Sequence, residues 1–191
     1  MSNLLPIISD FAPIGLKEMD GVKLMSRMDT KFVFKIEKLP SLLEKMTPFY
    51  RVLEINGKFI HDYKSLYFDT NARKFYIDHH NSRVNRNKIR FREYVESGLT
   101  FLEVKIKNNK GRTIKRRMKT DAIYQELSNK HKAYIEKIIG KPVDVNAKQW
   151  INFSRATFVH KQKKERLTID IKLSFKDDEK VGNLNDIVIA E

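Results

Sequence analysis

The stretch KIRFREYVESGLTFLEVKIK, residues 88–107, decides the fold class. In an extended strand, successive side chains point to opposite faces. Lys88, Arg90, Arg92 and Tyr94 therefore share one face, and Ile89 and Phe91 take the other. After the turn signal Glu96-Ser97-Gly98, a second strand sets Phe101, Glu103, Lys105 and Lys107 on one side and Leu102, Val104 and Ile106 on the other. Both strands are apolar on one side and charged on the other, as antiparallel strands over a core require.

The same division recurs along the chain. Upstream, RMDTKF aligns Arg27, Asp29 and Lys31 against Met28, Thr30 and Phe32; downstream, RLTIDIK aligns Arg166, Thr168 and Asp170 against Leu167, Ile169 and Ile171. FSRATF adds Arg155, and IVIAE adds Glu191 on the face of Ile187 and Ile189. A solvated sheet face ordinarily mixes signs and pairs them across strands. Here bases dominate neighbouring strands with isolated acids among them. At an effective dielectric of about 20, two like charges roughly 6–7 Å apart repel by about 2.5 kcal/mol, so a water-poor cluster of this kind calls for an anion. Arginine offers a planar fork and lysine a compact charge, and both suit phosphoryl oxygens.

Composition agrees. The 191 residues are 41% hydrophobic and 10% aromatic, as in a folded single domain, and the net charge of +14 favours nucleic acid, anionic membrane or phosphorylated molecules as partners. With no cysteine there is neither a disulfide framework nor a thiolate metal site, which fits a cytoplasmic protein. No export signal and no run of 18 apolar residues is present in the sequence. No glycine-rich phosphate loop or nucleophile elbow occurs either.

The remaining elements follow from periodicity. We expect a short helix within residues 9–21, a strand over 25–36 and a helix over 38–47. Strands at 50–55 and 60–68 are expected to pair around Asn56-Gly57. Helical spacing over 71–80 precedes a meander of strands at 88–95, 100–106 and 112–119. A helix from Thr120 or Asp121 to Ile139 closes at Gly140, and final strands run over 151–161, 166–175 and 187–191. Carboxylates on the charged face, Glu191, Glu103 or Asp170, have two readings: ligands of Mg2+ or Mn2+, or salt-bridge partners of neighbouring bases. The run Lys115-Arg116-Arg117 reads equally as a polyanion contact or a solvated segment. His79-His80 reads as the end of a helix before a phosphate contact, and Trp150 as core before a stacking platform.

In this order, RMDTKF, SLYFDT, KIRFREY, FLEVKIK, FSRATF and RLTIDI resemble the bacterial type of the polyphosphate polymerase domain of vacuolar transporter chaperone (VTC) proteins, over essentially the whole chain. The resemblance implies an α+β fold in which an antiparallel β-barrel, the triphosphate tunnel, carries flanking helices, with 1–191 as a single domain. It implies transfer of the terminal phosphoryl group of ATP onto polyphosphate. Arg27, Lys31, Lys88, Arg90, Arg92, Lys105, Lys107, Arg155 and Arg166 would bind phosphate, and Lys31, Arg90, Arg92 and Lys105 would be catalytic. Glu191, with Glu103 second, would hold Mn2+ or Mg2+. ATP and polyphosphate or another polyanion are the implied partners, with no DNA and with room for a membrane-bound partner protein. Hydrolysis of a triphosphate, or binding of polyphosphate or RNA without turnover, are the alternatives. The chain departs from the wider superfamily in having Arg27, Asp29 and Lys31 where an acidic ExExK strand is usual, which fits the polymerase branch. Relatives continue from this glutamate into a lysine and a further segment, so the chain is expected to stop within its last strand.

Overall fold

The computed structural model describes residues 4–19, 30–109, 113–177 and 179–191. The chain divides into two compact units. Unit 1 comprises residues 1–62, 152–174 and 183–191, and unit 2 comprises 63–151 and 175–182.

Unit 1 begins with α1 (Leu4–Ser9), β1 (Ala12–Ile14) and α2 (Leu16–Met19), followed by β2 (Phe32–Lys35), α3 (Leu39–Met46) and β3 (Tyr50–Leu53). The single helix expected over 9–21 is thus replaced by a strand between two short helices. The reason is packing: β1 runs parallel to β3, and Phe11 and Ile14 are consumed by two separate apolar clusters. The segment 25–29 of the expected first strand, with Arg27 and Asp29, lies outside the described residues. α3 forms as expected, with Pro40 in its first turn and Leu39, Leu43 and Met46 on one buried face.

Asn56 and Gly57 do take positive φ, 51° and 74°, and close a tight turn bridged by Ile55 and Lys58. The flanking strands nevertheless do not form the expected hairpin ladder. β3 pairs with β1 and with β8 (Asn146–His160), while β4 (Ile60–Asp69) runs against β5 (Arg86–Tyr94). A turn signal fixes the local reversal only; burial on both sides of Val52 decides the partner. β9 (Arg166–Lys176) and β11 (Ile187–Ala190) complete unit 1 in the order β2-β11-β9-β8, with β2 and β11 antiparallel. Ala156, Phe158, Ile169, Ile171, Val188 and Ala190 bury one sheet face against α1 and α3.

Unit 2 holds the expected meander. β4, β5, β6 (Leu99–Lys107) and β7 (Thr113–Thr120) are antiparallel neighbours in chain order. Leu66, Phe68, Ile89, Phe91, Leu102 and Val104 form its core with Phe75 of α4 (Lys74–His80) and Ile135 of α5 (Asn129–Ile139). Each such fully buried side chain contributes about 1.5–3 kcal/mol. Trp150 packs against this core, as read from the sequence. α5 starts eight residues later than expected because Ser128, not Thr120 or Asp121, caps it. The His131 amide donates to Ser128 Oγ at 3.4 Å, and the Ser128 amide donates to His131 Nδ1 at 3.3 Å. Ile123 and Leu127 still reach the core, from an irregular segment. Gly140 ends the helix at φ 83°, a left-handed conformation that suits glycine. A short strand, β10 (Val181–Leu184), pairs with β9 and had no sequence signal.

The α+β class therefore holds: antiparallel strands dominate, with a few helices. β4, β8 and β9 each contribute residues to both units. Among the described residues, no helix is long and apolar enough to cross a membrane.

Candidate phosphate-binding site

The meander of unit 2 sets its charged residues in cross-strand rows. Lys88, Lys105 and Lys115 stand opposite one another on β5, β6 and β7, and Arg90, Glu103 and Arg117 form the next row. Like charges directly opposed across strands are destabilising, and here Lys115 is offset by its ion pair with Glu103. Lys105 is exposed, while Lys88 and Lys107 are half-buried.

At the centre lies Glu103, 2% exposed. Arg90 donates to its Oε2 twice, from Nε at 2.8 Å and Nη2 at 2.6 Å, and Lys115 Nζ reaches Oε1 at 2.6 Å. Tyr94 donates to Oε1 at 3.4 Å. Burial alone would raise this carboxyl, but the charges of Arg90 and Lys115 outweigh it and hold it down at about 2. Arg90 also donates to the Tyr67 hydroxyl at 2.7 Å, and Arg92, itself buried, donates to Ser65 Oγ at 3.0 Å. Burial and the neighbouring Arg90 lower the Arg92 pKa, and burial lowers that of Lys115 in spite of Glu103. The guanidinium carbons of Arg90 and Arg92 lie 5.5 Å from the ring centres of Tyr67 and Tyr63 respectively. One carboxylate thus serves two cations, Arg90 and Lys115, with the buried Arg92 close enough to Arg90 for their like charges to be felt.

Of these residues, sequence reasoning brings out Lys88, Arg90, Arg92, Glu103, Lys105 and Lys107. It leaves Lys115 open between a polyanion contact and a solvated segment, and it misses Tyr63, Ser65 and Tyr67. The alternation of KRRMK and of YKSLY carried the signal, since these strands pair on either side of β5 and β6. The structure places Glu103 as the ion-pair partner of Arg90 and Lys115, the second of its two sequence readings.

Unit 1 carries its own charged face. Arg155 and Asp170 form a bidentate pair, Nε to Oδ1 at 2.5 Å and Nη2 to Oδ2 at 2.7 Å, with Arg155 also 5.0 Å from the ring centre of Phe153. Ser154 donates to Asp62 at 2.5 Å. Lys31 stands 3.6 Å from Glu191, their side chains 63% and 28% exposed. The Glu191 backbone is tied to Thr168 in both directions, at 2.9 and 2.7 Å. Arg166 lies at the start of β9, half-buried. Arg27 lies outside the described residues.

Among the described residues no cluster of three or more acidic or histidine side chains forms a metal cage. Asp170 and Glu103 each have both oxygens engaged by bases, so Glu191 is the carboxylate of the sequence-derived set whose partner is most loosely held.

A larger cavity of unit 2, about 720 Å3, opens elsewhere, beside α4 and the end of α5. Lys107, one of the residues expected to bind phosphate, lines it together with Lys74, Arg86 and Lys141, and Asp78 and Asp144 stand among these bases.

Comparison with solved structures finds weak likenesses. The PH1012 protein from Pyrococcus horikoshii OT3 is 10% identical with a TM-score of 0.42, over 85% of this chain and 77% of that one. A conserved hypothetical protein from Pyrococcus furiosus is 14% identical with a TM-score of 0.43, over 84% and 74%. A putative adenylyl cyclase from Hippeastrum, described as having a dominant triphosphatase activity, is 14% identical with a TM-score of 0.43, over 85% and 79%. No curated protein matches the chain. The family model of the VTC domain, by contrast, matches residues 26–188, a span that takes in the meander of unit 2 and every strand from β2 to β10; the chain belongs to the VTC domain family.

Proposed function

We propose that the chain binds the phosphates of ATP and of polyphosphate and transfers the terminal phosphoryl group of ATP onto the polyphosphate end. The observation that carries this reading is the cluster of bases around Glu103, where Arg90 and Lys115 share one carboxylate and the buried Arg92 stands beside Arg90. Membership in the VTC domain family supports it. In the reaction, the bond from the γ-phosphorus to the ADP oxygen breaks, a terminal oxygen of the chain bonds to that phosphorus, and ADP departs. No protein nucleophile is needed; positioning and charge neutralisation suffice.

Arg90 and Arg92 hold equatorial phosphoryl oxygens in a water-poor setting, where their charge is screened least. Lys88, Lys105, Lys107 and Lys115 neutralise successive phosphates in unit 2; Lys31, Arg155 and Arg166 do so in unit 1, and Arg27 belongs to the same set. The residues fit a divalent ion that arrives with its phosphates, because Mg2+ and Mn2+ keep several oxygen ligands of substrate and water and need one or two carboxylates. Glu191 is that carboxylate. When bound, the ion supplies neutralisation of charge on the transferring group. We place the activity in the cytoplasm, where ATP is supplied, as a single domain over residues 1–191.

Incubating the chain with labelled ATP and Mn2+ or Mg2+ and sizing the products on a gel tests this. A ladder of lengthening chains is expected. Orthophosphate alone identifies a triphosphate hydrolase, and salt-sensitive binding without turnover identifies a binding module; either refutes the polymerase reading.

A further inference from the structure

His79 lies at the end of α4, where a helix-end role accounts for its position but not for its contact. Its Nε2 is 3.1 Å from Lys88 Nζ, on the phosphate-facing side of β5. An ammonium group has no acceptor, so Nε2 is the acceptor in this contact, as it is in the imidazole tautomer that carries its proton on Nδ1. Both residues line a cavity of about 210 Å3 in unit 2, whose other walls include Tyr67, Arg73, Tyr76 and Lys148. Tyr67 also accepts from Arg90, so the cavity adjoins the cluster around Glu103. At about 30 Å3 of liquid volume per water, it holds roughly seven waters. That is room for a phosphoryl group with part of its hydration shell, and below the roughly 300 Å3 at which pockets for larger organic ligands begin.

The charges facing His79 favour an anion. Lys88 comes from β5, Lys148 from β8 and Arg73 from the N-cap of α4, with Tyr76 of that helix beside it; β4 supplies Tyr67 and Asp69. Asp69 is already engaged, accepting from the amides of Thr70 and Phe75 on Oδ1 and of Tyr76 on Oδ2, at 2.7, 2.9 and 2.8 Å. Arg73 meets Asp177 at 3.2 Å, and Lys148 donates to Asn71 at 3.1 Å.

The geometry points to a second phosphoryl subsite in this cavity, in which Lys88 turns its ammonium to the incoming phosphate and His79 gains a proton to become a further cationic ligand. The inference rests on the phosphate-binding reading above and adds to it a proton linked to binding. A phosphate placed between His79 and Lys88 sets negative charge against the ring, which favours its protonated form. The group then carries more protons with ligand than without. The added affinity is full below the free imidazole's titration range and vanishes as pH rises through that of the complex.

Calorimetry of the 191-residue chain with inorganic tripolyphosphate, in EDTA and in two buffers of different ionisation enthalpy, measures this directly. At pH 7 the wild type is expected to take up a fraction of a proton more than His79→Gln, whose amide keeps the acceptor for Lys88 but does not titrate. The affinity advantage of wild type over His79→Gln is expected to reach about tenfold at pH 6, the size of one charge-assisted hydrogen bond, and to disappear at pH 8.5. Lys148→Ala, on a different strand, is expected to weaken binding severalfold at both pH values. Equal proton numbers and equal affinities in wild type and His79→Gln overturn the subsite, as does undiminished binding by Lys148→Ala. Failure of the wild type to bind tripolyphosphate at all instead overturns the phosphate-binding reading on which the subsite rests.

Discussion

Replacing Glu103 by Gln removes one charge with almost no change of shape, and it strikes the most crowded point of the charge network. Both carboxylate oxygens would lose their cations' attraction, and Arg90, Arg92 and Lys115 would be left facing one another. Two routes give the cost. The Glu103 pKa lies at about 2 in the fold against 4.5 for the free group, and at 1.36 kcal/mol per unit this amounts to about 3 kcal/mol. Breaking a buried pair by removing one partner costs about 3–5 kcal/mol, and because Lys115 is 44% exposed and Arg90 19%, the lower end applies. A loss of about 3 kcal/mol in urea unfolding at pH 7 is therefore expected, or roughly 6–12 °C in melting temperature for a chain of this size.

The acid limb follows from the depressed pKa. The stability Glu103 contributes is present above pH 4.5 and is lost as pH falls through about 2, so wild type and Glu103→Gln should converge across that window. Tripolyphosphate should restore the variant more than it stabilises wild type, because the anion then meets Arg90 and Lys115 without the carboxylate they share. A variant within about 0.5 kcal/mol of wild type at pH 7, or one that tripolyphosphate stabilises no more than wild type, would refute the assignment of Glu103 as the internal counter-charge of a phosphate site.

Other expectations follow from the same contacts. Arg90→Ala and Lys105→Ala should both abolish ATP-dependent chain growth, but only Arg90→Ala should unfold earlier in urea, since Arg90 neutralises a buried carboxylate whereas Lys105 is exposed. Arg90→Lys should lower tripolyphosphate affinity about tenfold in calorimetry, because an ammonium cannot reproduce the forked contact. Ser128→Ala should cost about 1 kcal/mol of unfolding free energy through loss of the α5 cap, leaving phosphate binding unchanged. Burial and a hydrogen bond to Glu165 push the Tyr50 phenol up to about 12. Tyr50→Phe should accordingly remove a late-titrating component from the ultraviolet phenolate titration, and the stability Tyr50 adds below pH 10 should fade as pH rises through 12.

The charged face of the meander was legible because strand alternation is a local property. Lys88, Arg90, Arg92, Glu103 and Lys105 fall on one side whatever the rest of the chain does, provided the backbone is extended. α3 and α4, the Asn56-Gly57 reversal and the Gly140 stop were legible for the same reason, since each depends on a few consecutive residues. The misplaced start of α5 shows the limit of that method. Thr120, Asp121 and Ser128 are all competent caps, and the choice fell to Ser128 because His131 completes its box while β7 continues through Thr120.

By itself, then, the sequence determined the α+β class, the cationic strand faces and the membership that its ordered motifs signalled. The tertiary structure decided who stands beside whom: β3 with β1 and β8 instead of with β4, Lys115 diagonal to Glu103 across β6 and β7, and His79 against Lys88. Alternation assigns a face but is silent on register and on partners. Those are settled by which apolar sides can be buried together, and only that long-range choice gathered three cations around one carboxylate.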